Sequence, residues 1–582
     1  MIRFRTGALV AVAAIVFSAC GGAASPSPAS PSTAAASQGG GGASESAPAS
    51  SASTGTAGTP KEGGTLVVQN LGEIATTDSA FSQDSNTSYV MNQVLENLVT
   101  LKPGTVGDLA PALAKSWTTS PDGLTYTFEL QDGVKFHDGT DFNAEAVCYN
   151  YDRWNNFTGT LASPDYAYYY GAVFGGFGST SNYASCKANS PTEAVITLKK
   201  PYTPFLLSQT ISTFAINSPA ALKAGDADNQ DPTKSAYGTG GKGAMTGTGP
   251  FMFKEWVAGD HVTVVKNPNY WNKAGMAHLD AVNFRKIADT AAVLNALQAG
   301  DIDLATVFNP VDIPAVQGDT SLQVIARGES CNLFHLGMNE THKPFDNPKI
   351  RQAVAAAVNR QNLVDTFYGG NDNAAVAKSW VPPTTPGFKD ENLPAYDVNA
   401  AKQLIADSGV TDLSFDFWYP SDVFRPYMPD PKGIFQAIQT DLEAAGFKPN
   451  PQTKPWNTGK PTYLNDESTG KYPMWLIGWT CDWAGADNFL DTAFFYYSKG
   501  QPNPEFAYKN DALNALMKQA ESATSEDVAN PLWGQAQDMI AKDLPTLPLV
   551  NSKPVAGAKA YVKGFVGSGN LTEFLNSVWL DK

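Results

Sequence analysis

Histidine, cysteine and positive charge are all scarce in this chain. Five histidines and five cysteines are spread over 582 residues, and 40 Lys and Arg stand against 56 Asp and Glu. The net charge of −16 argues against a nucleic-acid partner, because phosphate binding needs a basic surface. His137, His261, His278, His335 and His342 show no metal-ligand spacing, and no CxxC or Cys/His pattern suggests zinc. No GxSxG, HExxH or P-loop pattern occurs, so no catalytic residue, metal or cofactor is expected and nothing points to an enzyme. Gly238, Gly240 and Gly243 do match GxGxxG. The match follows Ser-Ala-Tyr rather than a hydrophobic strand, and no helix pattern follows it, which reads as a loop. Charged residues make up only 16% of the chain, as suits a secreted protein with a neutral polar surface.

The chain is too long for one hydrophobic core, so several structural units are expected. Arg3 and Arg5 precede an apolar run from Leu9 to Phe17 that is too short to span a bilayer permanently. The run ends Phe17-Ser18-Ala19-Cys20, which resembles a bacterial lipobox, with Phe17 where leucine is usual. That resemblance implies a lipoprotein signal peptide over 1–20, cleavage before Cys20, and lipidation of its thiol. An ordinary signal peptide or a transmembrane anchor is the alternative. Residues 21–60 are almost wholly Gly, Ala, Ser, Thr and Pro, a composition that cannot form a core. As a coil of about 40 residues this tether spans roughly 35 Å. Cys148, Cys186, Cys331 and Cys481 remain, an even number that suggests two disulfides with three possible pairings.

The body alternates strand and helix patterns. Strands are expected at Thr125 to Leu130, Ala194 to Leu198, His261 to Val265 and Phe415 to Trp418, each rich in β-branched or aromatic residues. Asn347-Pro348 is a cap and N1 proline for a helix that runs to Gly369-Gly370. Asp289 or Thr290 caps a helix stopped by Gly300, and Asp397 caps one stopped by Gly409. Ile434 to Ala445 and Asp511 to Ala520 are amphipathic. Asn530-Pro531 is expected to start a helix that Pro545 ends. The fold class is therefore α/β, or α+β, in several lobes.

One stretch gathers unusual chemistry. In Tyr472 to Leu490 an apolar strand (Met474 to Ile477) leads through Gly478 to Trp479, Asp482 and Trp483. With Trp475, three tryptophans surround one carboxylate. Aromatic walls bring large area with few rotamers, and a carboxylate beside them pairs strongly with a cation or amine. Composition by itself reads the same residues as a core strand ending in a polar turn.

Residues 108–154 (DLAPALAKSWTTSPDGLTYTFELQDGVKFHDGTDFNAEAVCYNYDRW) resemble the signature region of the family 5 extracellular solute-binding proteins, the peptide/nickel type that serve ABC importers. Further blocks follow in order: Gly247 to Phe251 with Asn267 to Trp271, Leu297 to Asp303, and Pro344 to Ala353. The resemblance runs over nearly the whole body, about Lys61 to Lys582. It implies an α/β, two-lobed periplasmic-binding-protein-like clamp with mixed sheets, an extra subdomain and hinge closure. The implied division is 61–98, 213–326 and 546–582 in lobe I, 99–212 in the subdomain, and 327–545 in lobe II. The implied partners are a peptide or other small solute and a permease/ATPase complex, and the receptor is expected to be a monomer on the outer face of the cell membrane. His137 and Asp138, inside the signature, read as scaffold.

The resemblance also assigns site residues. Gly478 to Asp482 is similar to the segment whose aspartate binds a peptide's α-amino group, and Asp482 falls on it. Phe424 to Tyr427 resembles the Arg-Pro-Tyr segment of the dipeptide-binding branch, where Arg425 falls on the arginine that meets the ligand carboxylate. An acid and a bidentate guanidinium together suit a zwitterion. Trp456 falls on a tryptophan-bearing segment and is expected, with Trp479 and Trp483, to wall the ligand. Gly485-Ala486-Asp487 departs from the family's Asp-Pro-Asp. Cys331 and Cys481 resemble a disulfide pair of the oligopeptide branch, which leaves Cys148 with Cys186. The same fold could instead hold an oligosaccharide, which the tryptophans would suit, or a nickel complex. An exported hydrolase is the reading from another class.

Overall fold

A computed structural model of the protein describes residues 58–582 apart from 164–165, 288, 290, 329, 457–461, 491–503 and 571–572. The expected signal peptide, Cys20 and nearly all of the tether lie outside the described residues, as does Thr290. Three sheets organise the rest, each with its own apolar cluster.

The first sheet has seven strands in the order Leu322–Ile325, Ala556–Lys559, Leu304–Ala305, Thr65–Asn70, Ala281–Lys286, His261–Lys266 and Phe251–Val257. The strand that opens the body thus lies mid-sheet, parallel to Ala281–Lys286 with Thr65 opposite Ala281. Leu66 and Val68 alternate into the core beside Val282, Phe284 and Val264, the period-2 burial of a strand.

The second sheet has six strands in the order Ala374–Val376, Thr546–Ser552, Asn332–Met338, Met474–Thr480, Ser414–Pro420 and Lys448–Lys454. Every residue of Asn332–Met338, Met474–Thr480 and Thr546–Ser552 is buried. Strands covered on both faces read as continuous apolar runs rather than alternating ones, as MWLIGWT does. Two glycines allow the packing: a Cβ on Gly337 would lie 2.3 Å from the Trp475 ring, and one on Gly478 2.5 Å from Tyr427.

The third sheet is antiparallel, in the order Ala114–Thr119, Thr125–Leu130, Glu193–Leu198 and Tyr183–Ser190. Helix Ala144–Asn155, capped by Asn143, lies against it. The Cys148–Cys186 disulfide ties that helix to the edge strand, and Cys331–Cys481 joins two neighbouring strands of the six-stranded sheet.

Three expectations change. The helix after Asn347 divides into Pro348–Ala357 and Arg360–Phe367. Val358 is extended, the Asn359 side chain caps the second helix, and the Asn359 N–H donates to Asp441 at 2.8 Å. The helix expected from Pro531 starts earlier and runs Glu526–Asp543 with Pro531 inside it. Strand Thr546–Ser552 belongs to the six-stranded sheet, so the unit boundary expected at 546 falls one strand too early. Its TLPLV run is buried throughout, between Ala374–Val376 and Asn332–Met338. The chain therefore crosses between the two large sheets at 326–331 and again at 553–555.

Candidate functional site

Strands Ser414–Pro420 and Lys448–Lys454 are parallel, and Ser414–Pro420 is also parallel to Met474–Thr480. Their three C-terminal ends share one edge of the sheet. Arg425 follows the first strand, Trp456 the second and Asp482 the third. Loops beyond the carboxyl ends of parallel strands are where open α/β sheets place ligands. Topology thus brings to one edge three residues that lie far apart in the chain.

Asp482 is half-buried, and its side-chain donors are neutral. Tyr169 donates its hydroxyl to Oδ1 at 2.7 Å, and Asn488 donates its amide to Oδ2 at 3.1 Å. Asn488 Oδ1 in turn accepts from the Asp482 backbone N–H and from Trp479 Nε1, each at 3.0 Å. One asparagine therefore fixes the carboxylate, its backbone and the neighbouring indole. Desolvation raises the Asp482 carboxyl to about 6, against the lowering effect of the Tyr169 and Asn488 hydrogen bonds. Among the described residues no lysine or arginine forms an ion pair with it.

The Arg425 guanidinium lies over the Trp456 ring, 4.9 Å from the centroid, a cation–π geometry. Trp456 is itself stacked on Tyr463, and its backbone N–H donates to Asp422 at 2.5 Å. Burial lowers the Arg425 pKa, and the hydrogen bond with Tyr427 opposes that shift. The loop is tight: Arg425 and Met428 exchange backbone hydrogen bonds at 3.2 and 2.7 Å. Tyr427 anchors it from below, packed on Gly478 and accepting from the Tyr368 hydroxyl at its carbonyl.

The four-stranded unit closes over this edge. Besides Tyr169, which lies on helix Tyr168–Phe174, Tyr202 donates to Asp487 at 3.2 Å. Thr203 N–H donates to the Glu521 carbonyl at 2.9 Å, at the end of helix Asp511–Glu521. Trp483 is fully buried within the apolar cluster of that unit and donates its indole N–H to Asp487 at 2.9 Å. Burial, with the Glu521 charge nearby, raises the Asp487 carboxyl to about 7. Asp487 folds back over Gly485, where a Cβ would lie 2.1 Å from its Oδ1. The glycine that departs from the family pattern is thus the one that makes room for this carboxylate.

Of the expected site residues, Arg425, Trp456 and Asp482 leave the same sheet edge. Trp479 and Trp483 are buried behind it, one braced by Asn488 and the other by Asp487. Cys481 is bonded to Cys331, directly before Asp482. Tyr169, Tyr202, Asn488 and Asp487 were not singled out from sequence. The run Tyr166-Ala167-Tyr168-Tyr169-Tyr170 was the available signal, and nothing in its spacing says that it meets Asp482. The histidines are engaged elsewhere: His137 with the Gly249 carbonyl, His335 with Thr546, His342 with the Gly470 carbonyl, and His261 and His278 beside Asp260 and Glu62.

Residues 108–501 match the sequence profile of the bacterial extracellular solute-binding proteins, family 5 middle region. The protein belongs to that family. Family 5 members are binding proteins rather than enzymes, and this one shares their α/β periplasmic-binding-protein fold. It is 30% identical over 492 residues to heme-binding protein A of Haemophilus influenzae, covering 82% of this chain and 85% of that one. It is 28% identical over 499 residues to a dipeptide-binding protein of Escherichia coli, covering 83% and 88%. Among solved structures, the periplasmic binding protein DppA from Helicobacter pylori in complex with peptide STSA superimposes with a TM-score of 0.74 at 27% identity, over 90% of this chain and 99% of that one.

Proposed function

We propose that this family 5 protein is an extracytoplasmic receptor that encloses short peptides between two lobes and presents them to an ABC importer. The observation that carries the proposal is the pairing of Asp482 and Arg425 on one sheet edge. Asp482 has only neutral donors and a carboxyl raised by burial, and an ammonium group would restore its charge. Arg425 is braced on an indole, and its planar guanidinium has the shape that matches a carboxylate. A zwitterionic ligand answers both. Heme offers carboxylates and no ammonium, so it would leave Asp482 unanswered. Relatives named for dipeptide and glutathione binding, and the peptide-bound homologue, support a ligand of this chemistry.

Lobe I would be the seven-stranded unit with the four-stranded unit attached, and lobe II the six-stranded unit through Ser552. Closure would turn on the crossings at 326–331 and 553–555. Cys20 would carry a lipid, with residues 21–60 as a leash. That part rests on Arg3, Arg5, the apolar run and Cys20. Thermal-shift and calorimetric titration with di- and tripeptides, glutathione, hemin, an oligosaccharide and a nickel chelate tests the ligand class. Peptides with free ends are expected to raise Tm and bind. A response to hemin or to sugar without any response to peptides would overturn the assignment.

A further inference from the structure

The two crossings between the large sheets enter the six-stranded sheet at the edge that carries Arg425 and Asp482. Asn332, the first residue after one crossing, pairs across the sheet with Thr480, two residues before Asp482. Ser552 is the last residue before the other crossing. These two residues are buried and bonded to each other reciprocally. The Ser552 N–H donates to Asn332 Oδ1 at 3.1 Å, and Asn332 Nδ2 donates to Ser552 Oγ at 3.1 Å. A backbone N–H can only donate, so the amide orientation is forced. Ser552 Oγ accepts from that amide and directs its single proton to the Pro426 carbonyl at 3.0 Å. The hydroxyl thus joins the strand at one crossing to the Pro426–Tyr427 peptide unit, one residue beyond Arg425. On the other side, Cys331 of the first crossing is bonded to Cys481, next to Asp482. Both poles of the proposed site are fastened to residues at the crossings.

We propose that Ser552, held by Asn332, is a positioning residue that sets Arg425 for the anionic end of the ligand. This rests on the Arg425 assignment made above. The Arg425–Met428 loop closes on its own pair of backbone bonds, and the carbonyls at its tip, Pro426 and Tyr427, are tied to the rest of the molecule by Ser552 and Tyr368. Ser552 is the anchor that lies at a crossing, which gives lobe rotation a direct path to the guanidinium. Removing the hydroxyl leaves the Pro426 carbonyl and the Asn332 amide short of a buried partner. The loop, and with it the guanidinium, then loses its fixed position while Asp482 keeps the Asn488 clamp.

The test compares the wild-type protein, Ser552→Ala and Ser552→Thr. Each is titrated calorimetrically with trialanine, trialanine amide and N-acetyl-trialanine. Ser552→Ala is expected to reduce the preference for the free acid over the amide by about fivefold to tenfold, the order of one buried hydrogen bond. It leaves the preference for free over acetylated amino terminus unchanged, and Ser552→Thr, which keeps a hydroxyl, restores the first preference. Hydrogen exchange without ligand gives a second readout: the Met428 amide exchanges faster in Ser552→Ala than in wild type. Equal weakening for all three peptides, or unchanged exchange at Met428, overturns the positioning role. A wild-type protein with no preference for the free acid overturns the Arg425 assignment itself, and the inference with it.

Discussion

Burial of Asp482 costs stability at neutral pH. Its carboxyl titrates at about 6 in the folded protein, against about 3.9 for an unperturbed aspartate. Between those values the native state keeps a proton that the unfolded state has released. The stability contribution is therefore complete below the lower value and is lost as pH rises through the higher one. Asp482→Asn cannot ionise and escapes that loss. The variant is expected to melt higher than wild type at about pH 7.5 and equally at about pH 3.5, below the unfolded-state value, a comparison that calorimetric unfolding at the two pH values makes directly. Peptide affinity should fall in the same variant by more than about 2 kcal/mol, because a desolvated ammonium loses its counter-charge. In the wild type, affinity should weaken as pH falls through about 6, since the ligand ammonium requires the ionised acid. A variant that melts lower at neutral pH, or binds as well as wild type, would reduce Asp482 to scaffold.

Among the elements, capping and turn chemistry was legible from sequence because it is local. Asp397 and Gly409 bracket helix Val398–Ser408, with Gly409 at a φ of +70°, and Asn347 caps the helix that Pro348 opens. What was hidden depends on partners distant in sequence. The break at Val358–Asn359 is sustained by Asp441, and the meeting of Tyr169 with Asp482 joins residues of two different sheet units. The family resemblance supplied Asp482 and Arg425, while Asn488, which orients Asp482, had no signal of its own. Pro531 shows local chemistry being overridden. It lacks the N–H that would bond the Asp527 carbonyl and crowds that carbonyl besides. Pro531→Ala is expected to stabilise the protein by about 1 kcal/mol or more, read from the urea midpoint, with no effect on ligand affinity. The two disulfides should separate in the same assay. Cys331–Cys481 closes a loop with a separation of 150 residues and Cys148–Cys186 one of 38. Chain-entropy arguments give losses of about 5 and about 4 kcal/mol on replacement by serine. Only the Cys331/Cys481 change should also weaken peptide binding, because only that bridge adjoins Asp482.

At the scale of the whole molecule, the crossings between sheets carry an ionic staple. Arg327 and Glu573 are both fully buried at 2.7 Å. The same guanidinium donates to the Pro554 carbonyl at 3.1 Å and to the Thr306 carbonyl at 2.8 Å. One side chain on the first crossing thus grips the second crossing and the seven-stranded unit. Arg327→Met strands a buried carboxylate and is expected to cost about 3–5 kcal/mol, while the double change with Glu573→Leu should recover most of it. Thermal unfolding of the three variants checks this. The proposed ligand is a zwitterionic peptide held between Asp482 and Arg425. Mass spectrometry of solute released by acid from the natively purified protein tests it most directly. Short peptides with free amino and carboxyl termini are expected, retained by wild type and absent from Asp482→Asn. Heme, glycan or a metal chelate in the wild-type eluate, or peptides retained equally by the variant, would contradict it.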